Sequence, residues 1–226
     1  MGGWSRTCDA VFTGRPWLDT PAGRSRRAGL VLVLMNENHA LCSTPEWAEF
    51  MESEVLEPVT AGLDLGDEML EIGPGPGAAT RWLRHRVKRL VALELDPAAA
   101  GRLADELADT NVSIRVGDAT HVPYPDESFD SVGCFTMLHH VPTAQAQFRT
   151  LCEAFRVLRP GGVLVGADSL ASQGLHEFHE GDTYNPIDPA RLLVFLQAAG
   201  FRQVMVSVAD SLLFTGGKTR EETSSD

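Results

Sequence analysis

One short stretch, MLEIGPGPG at residues 69–77, constrains the fold of this chain more than any other. Its apolar first half, residues 69–72, predicts a buried strand, and its second half alternates glycine with proline. Residues 78–86 can then form a helix. A strand that ends in a glycine-rich turn and opens a helix is the nucleotide-binding unit of open α/β sheets. We therefore expect a ligand at this turn.

The rest of the chain alternates predicted strands with predicted helices. Strands are expected at residues 90–94, 112–116, 129–135, 163–167, 204–208 and 212–215, and helices at residues 97–109, 144–158 and 190–199. This order predicts an α/β fold with a doubly wound, mostly parallel sheet. The last two strands are close enough in sequence to form an antiparallel pair at an edge. Ligands of such sheets bind outside the carboxyl ends of the strands.

Three acids, Glu71, Glu94 and Asp118, follow or end three successive predicted strands and so line one crevice. A dinucleotide is the first ligand to test, because the loop satisfies G-x-G-x-x-A. However, a pyrophosphate needs backbone N–H donors, and Pro74 and Pro76 each remove one. Carboxylates also repel phosphate. A ligand with a cationic end and no phosphate fits this crevice better.

S-adenosylmethionine is such a ligand, with a sulfonium, an ammonium and a single carboxylate. Glu94 can accept hydrogen bonds from both ribose hydroxyls, and Asp118 can accept one from the adenine amino group. The remaining loop N–H groups and the following helix N-terminus favour the ligand carboxylate. Each acid also has a purely structural alternative. Glu71 would brace the loop, Glu94 would be an ordinary strand-end acid, and Asp118 would cap the next turn.

Six motifs stand in one order along the chain: E-x-G-x-G-x-G at 71–77, Glu94, GDA at 117–119, FDSV at 129–132, LHHV at 138–141 and LRPGG at 158–162. Together they resemble the class I S-adenosylmethionine-dependent methyltransferases, and within them the small-molecule branch similar to ubiquinone-biosynthesis methyltransferases. The resemblance covers residues 46–218. It implies a Rossmann-like seven-stranded sheet of order 3-2-1-4-5-7-6, with strand seven antiparallel and helices on both faces.

The resemblance also implies which residues hold S-adenosylmethionine. The methionine part would lie at Glu71 and the loop glycines, the ribose at Glu94, and the adenine at Asp118 and Ala119. Phe135 would lie beside the cofactor. The implied cofactor-binding residues are Glu71, Gly73, Pro74, Gly75, Gly77, Glu94, Leu95, Asp118, Ala119 and Phe135.

Methyl transfer from a sulfonium mainly requires alignment of the acceptor, and needs a general base only if the acceptor must lose a proton. His139 and His140 are the candidate bases, and their alternative is a structural role. Trp47, Phe50 and Tyr184 are candidate acceptor-lining residues. The first two belong to an amphipathic helix predicted at residues 44–60, whose apolar stripe has packing as its alternative role.

No metal site is predicted, because the histidines of LHEFHEGDTYN at residues 175–185 lack the H-E-x-x-H order. This loop is instead expected to cover the acceptor. The net charge of −12 argues against a nucleic-acid partner, so a small-molecule acceptor is expected. No apolar run approaches the ~18 residues of a membrane span, and a cytoplasmic location is expected.

Four regions are predicted along the chain. Residues 1–34 are a basic extension, expected to be disordered, with translation starting at Met35 as the alternative. Residues 35–62 form an N-terminal helical cap, residues 63–218 the methyltransferase core, and residues 219–226 a frayed tail. Two other functions stay open: an NAD(P)-dependent oxidoreductase and a non-catalytic protein that binds an adenosyl ligand.

Overall fold

The computed structural model of this protein describes residues 36–220. The predicted extension at residues 1–34 and the last six residues of the predicted tail lie outside this range. No helix among the described residues is long and apolar enough to cross a membrane.

The described chain begins with a 3-10 helix at Glu37–Ser43, followed by a helical segment. This segment is α-helical at Pro45–Phe50, has π geometry at Met51–Leu56, and is α-helical again at Glu57–Thr60. We call the whole of it α1. The Thr44 hydroxyl caps it by accepting a hydrogen bond from the Trp47 N–H group at 3.2 Å. The helix predicted at 44–60 is confirmed, but its π turn was not predicted.

Strands and helices then alternate as the sequence indicates. They are β1 (Glu68–Ile72), α2 (Ala78–Leu83), β2 (Arg89–Glu94), α3 (Pro97–Glu106), β3 (Val112–Val116), β4 (Phe129–Phe135), α4 (Ala144–Val157), β5 (Leu158–Asp168), α5 (Gln173–Phe178), α6 (Pro189–Ala199), β6 (Arg202–Val208) and β7 (Leu212–Gly217). A 3-10 turn at Leu138–His140 lies between β4 and α4. Helix α5 lies in the stretch that the sequence analysis expected to be a loop.

The seven strands form one sheet in the order β3-β2-β1-β4-β5-β7-β6. All neighbours are parallel except β7, which runs antiparallel to both β5 and β6. The predicted fold class and strand order are therefore confirmed. Since β1 lies in the middle with β4 beside it, the loops after these strands open at the centre of the carboxyl edge.

Apolar side chains on alternate strand positions fill two separate cores. On one face, Leu70 and Ile72 pack with α4 and α6. On the other face, Met69 packs with α1 and α2. This period of two is what a strand buried on both faces requires. The two cores fix the central strands from both sides, and with them the loops that form the site.

Candidate active site

The loop between β1 and α2 turns sharply because its three glycines adopt left-handed backbone angles. The φ angles of Gly73, Gly75 and Gly77 are +68°, +52° and +86°. A side chain at Gly73 would also collide with its neighbour, since a Cβ atom there would lie 2.8 Å from the Cβ of Met137. Glycine is therefore required here both for its backbone angles and for space.

The loop has no backbone donors to spare for a ligand. Its two prolines carry no N–H group, and the three glycine N–H groups all donate within the protein. Their acceptors are the Leu93 carbonyl (2.9 Å), the Glu94 carboxylate (3.0 Å) and the Pro74 carbonyl (2.9 Å). The three glycine N–H groups therefore do not support the expected contact with the ligand carboxylate, and the part of that expectation that concerns the N-terminus of α2 stays a prediction. The same observation strengthens the argument against a pyrophosphate.

Two buried carboxylates flank this loop. Glu94 is 6% exposed, and its two oxygens accept hydrogen bonds from the N–H groups of Gly75 (3.0 Å) and Asp96 (2.9 Å). Glu94 thus braces the loop, a role that the sequence had suggested as an alternative for Glu71 and not for Glu94. Each carboxylate oxygen has two lone pairs, so capacity for ribose hydroxyls remains.

Glu71 is 1% exposed, and its Oε2 atom has no hydrogen-bond partner among the described residues. Burial raises the pKa of Glu71 to about 7; the nearby Thr80 hydroxyl opposes this rise, and the negative charge of Glu94 adds to it. A buried acceptor without a donor is rare in folded proteins. It fits a site for a cationic or donating ligand group.

Three further residues expected to bind the cofactor, Asp118, Ala119 and Leu95, are more exposed than Glu71 and Glu94. Asp118 is exposed, and its Oδ1 atom accepts hydrogen bonds from both the N–H and the hydroxyl group of Thr120, each at 2.8 Å. This is the turn-capping arrangement that was its alternative. Ala119 packs against the core of the α4 face, and Leu95 is 43% exposed. Their cofactor contacts stay predictions.

A histidine and an acid meet where β4 and β5 end. The His139 Nδ1 atom lies 2.5 Å from Asp168 Oδ1, and Asp168 Oδ2 accepts a hydrogen bond from the His139 N–H group at 3.2 Å. Both residues are buried. This pairing fixes the orientation of the imidazole and keeps the proton on Nδ1. Asp168 directly follows the strand predicted at residues 163–167, but no local pattern in the sequence indicates that it contacts His139.

The second candidate base, His140, points elsewhere. Its ring centroid lies 4.2 Å from that of His139 and 5.1 Å from those of His39 and His179. Its Nδ1 atom is buried and has no hydrogen-bond partner among residues 36–220, although Asp182 Oδ2 lies 4.0 Å away. The adjacent histidines therefore have different surroundings, since the carboxylate beside His139 is within hydrogen-bond distance and the one beside His140 is not.

The candidate lining residues do not come together. Trp47 and Phe50, whose ring centroids are 5.4 Å apart, are partly buried against the core of the α1 face. This supports a packing role for the stripe of α1. Phe135, the last residue of β4, is buried in the same core. Tyr184 instead stacks on His179 with ring centroids 4.6 Å apart, and both line a cavity beyond β5.

The fold and the site together define a class of protein. A seven-stranded sheet of this order, with a glycine loop and strand-end acids at its carboxyl edge, is that of the class I methyltransferases. Residues 70–166 match a family model described as a methyltransferase domain. The chain therefore carries an S-adenosylmethionine-dependent methyltransferase domain.

Two relatives illustrate the match. The chain is 33% identical over 159 residues to a probable S-adenosylmethionine-dependent methyltransferase of Mycolicibacterium smegmatis. This alignment covers 67% of this chain and 58% of that protein. It is 35% identical over 113 residues to the 27-O-demethylrifamycin SV methyltransferase of Amycolatopsis mediterranei, covering 48% and 40% of the two chains. The chain thus spans about half the length of these relatives.

A solved structure shows the same fold. It is phosphoethanolamine N-methyltransferase 2 of Haemonchus contortus, in complex with phosphomonomethylethanolamine and S-adenosylhomocysteine. The TM-score is 0.64 at 15% identity, with 82% of this chain and 59% of that chain covered.

Proposed function

We propose that this chain transfers the methyl group of S-adenosylmethionine to a small molecule. The observation that carries the proposal is the pair of buried carboxylates, Glu71 and Glu94, beside a glycine loop without free N–H donors. Such a crevice favours a ligand that donates hydrogen bonds and carries positive charge.

The residues present fit this cofactor. Glu71 offers an unpartnered acceptor for the ammonium end, and Glu94 has free lone pairs for the ribose hydroxyls. The glycines allow close approach of the backbone. When bound, S-adenosylmethionine supplies a methyl group on a sulfonium, with a good leaving group already in place.

The chain itself must align the acceptor and, where needed, take its proton. His139 suits the second task, because Asp168 holds the proton on Nδ1 and leaves Nε2 as the acceptor nitrogen. Asp168 is a positioning residue, since it acts only through His139. This assignment puts His139 ahead of His140 as the catalytic base.

A small acceptor is supported by charge. A net charge of −12 gives no general attraction for the phosphates of nucleic acids. The rifamycin-related name of one relative describes that protein, and it is compatible with a small acceptor here. An oxidoreductase is disfavoured, because the loop offers a dinucleotide pyrophosphate no free N–H group.

Calorimetry tests cofactor binding. S-adenosylhomocysteine is expected to bind the full chain at micromolar strength, and Glu94→Ala to weaken binding at least tenfold. Asp105→Ala, which removes an exposed acid on α3, is the matched control and should bind as the parent does. Heat with NADH and none with S-adenosylhomocysteine would instead support an oxidoreductase.

Turnover tests catalysis. Release of S-adenosylhomocysteine is measured with a panel of small phenols, amines, thiols and activated methylenes. For an acceptor that must lose a proton, His139→Ala is expected to lower kcat by roughly 10²–10⁴-fold while cofactor affinity is unchanged. Cofactor binding without turnover on the whole panel would favour the non-catalytic alternative.

A further inference from the structure

Three histidines from distant parts of the chain meet beside the candidate active site. His39 comes from the first 3-10 helix, His140 from the turn after β4, and His179 directly follows α5. One ring nitrogen of each lies within 4.8 Å of the other two. His39 and His179 are buried and His140 is partly buried.

The buried ligand atoms of this cluster lack partners. No hydrogen bond within the described residues satisfies the nitrogens His39 Nε2, His140 Nδ1 and His179 Nε2. The side chain of Asp182 is fully buried, and its Oδ2 atom also lacks a hydrogen-bond partner. That oxygen lies 3.7 Å from His39 Nδ1 and 4.0 Å from His140 Nδ1. The other oxygen of Asp182, Oδ1, accepts a hydrogen bond from the Thr183 N–H group at 2.6 Å, so only Oδ2 is left without a donor among the described residues.

In two of the imidazoles, the ring nitrogen that faces away from the cluster already makes a hydrogen bond, as it does in metal-binding histidines. His39 Nδ1 lies 3.0 Å from the Asn36 Oδ1 atom, and His179 Nδ1 lies 2.6 Å from the Leu175 carbonyl oxygen. Each contact places the proton on Nδ1 and leaves Nε2 with a free lone pair. Metal-binding histidines nearly always make such a second hydrogen bond.

We propose that His39, His140 and His179 bind a divalent transition-metal ion of the zinc type, with the buried Asp182 beside His39 Nδ1 as the carboxylate that balances its charge. Three imidazoles, with water in the fourth position, are ligands that Zn²⁺ accepts in tetrahedral geometry. With Zn–N distances of about 2.0–2.1 Å, each nitrogen must move inward by only about 1 Å.

No metal site was predicted from the sequence because the local order H-E-x-x-H is absent and the three histidines are far apart along the chain. Of the two histidines of LHEFHEGDTYN, His179 belongs to the cluster and His176 does not. The ligands instead come from three segments that hydrogen bonds join. The side-chain amides of Asn36 and Asn38 both donate to the Phe178 carbonyl at 2.7 Å. We call residues 169–188, which follow β5 and include α5, the lid. A bound ion would therefore join the lid to the first residues of the described chain.

The test uses the full chain without a polyhistidine tag, stripped of metal and titrated with Zn²⁺ by calorimetry in the absence of cofactor. We expect one ion per chain at submicromolar Kd, and a higher Tm with Zn²⁺ than without. His39→Ala and Asp182→Asn should each weaken binding by at least tenfold. His176→Ala, an exposed histidine on α5 of the same lid, should bind as the parent does.

Binding weaker than about 100 µM, or equal losses in His176→Ala and His39→Ala, would overturn the proposal. Titration of the parent chain decides the matter even if a variant fails to fold. Because no cofactor is present, failure here leaves the proposed methyl transfer untouched. Conversely, a chain that binds Zn²⁺ but not S-adenosylhomocysteine would keep the metal site and reject the methyltransferase proposal.

Discussion

Glu71 is the residue whose chemistry departs furthest from its ordinary state. Its pKa is raised from 4.5 to about 7, first by burial and then by the charge of Glu94. The folded state therefore holds this proton more tightly than the unfolded state does. Below pH 4.5 the carboxyl is protonated in both states, so it does not make the free energy of unfolding depend on pH. As the pH rises from 4.5 to 7, the folded state binds more protons than the unfolded state, so stability falls.

Glu71→Gln is expected to remove this penalty. We compare the unfolding free energies of the variant and the parent. Between pH 4.5 and a pH above 7, this difference should shift in favour of the variant by about 3 kcal/mol. Urea unfolding of both proteins at several pH values measures this. Parallel stability curves for the two proteins across this window would show that Glu71 is not buried with a raised pKa.

The glycines of the loop give a second prediction at this scale. Gly73→Ala forces an alanine to a φ of +68° and sets its Cβ atom 2.8 Å from the Cβ of Met137. We expect a loss of about 1–3 kcal/mol in unfolding free energy, and at least tenfold weaker cofactor binding. Calorimetry and urea unfolding measure the two effects.

Gly101→Ala is the matched control. Gly101 lies inside α3, and no neighbouring atom of the described residues lies within 4 Å of the point that a Cβ atom would occupy. Alanine should stabilise this helix by about 0.5–1 kcal/mol. If Gly73→Ala were as harmless as this variant, the loop would not need its left-handed backbone.

At the scale of elements, α4 holds in place the turn that carries His139. Gln147 is buried on this helix, and its Nε2 atom donates to the carbonyls of Leu138 (2.9 Å) and Asn185 (2.7 Å). Gln147 thereby connects the lid with the turn on which His139 lies. Gln147→Leu leaves both carbonyls without this donor, at a cost of about 1–3 kcal/mol.

We expect Gln147→Leu also to lower kcat, because the His139 imidazole depends on the position of its turn, while cofactor affinity is unchanged. Gln145→Leu alters an exposed position on the same helix and should stay within about 0.5 kcal/mol of the parent. Urea unfolding and turnover of the two variants decide this. A smaller effect at Gln147 than at Gln145 would contradict the coupling.

Elements were predictable from sequence where the pattern is local. The strand at β3 and the helix at α4 follow from the spacing of their apolar residues. The start of β5 at Leu158, directly after α4, was missed because LRPGG contains residues that usually break regular structure. Helix α5 was missed because it has only six residues and buries none of them fully.

Across the whole molecule, the strand order was predictable because crossover rules and the family resemblance allow few alternatives. Contacts between side chains that are far apart in sequence were not predictable. The contacts of His139 with Asp168, and of His39 with His140 and His179, join residues far apart in sequence. Only the assembled sheet edge brings them together. The sequence thus indicated the crevice and its acids, but not which side chains hold one another there.

The charge of the whole chain predicts its behaviour toward nucleic acids. With a net charge of −12, we expect no binding to duplex DNA or structured RNA at physiological salt, because phosphate contacts need clustered cations. A gel-shift titration measures this. Micromolar binding that weakens steeply with added salt would reveal a basic surface and redirect the search for the acceptor.

The central claim is that the crevice at the end of β1 holds S-adenosylmethionine through its carboxylates. A crystal structure of the full chain with S-adenosylhomocysteine tests this most directly. We predict the ribose hydroxyls within hydrogen-bond distance of Glu94, the amino group toward Glu71, and the sulfur facing the side of His139. A ligand bound elsewhere, or one whose ribose makes no contact with Glu94, would contradict the account.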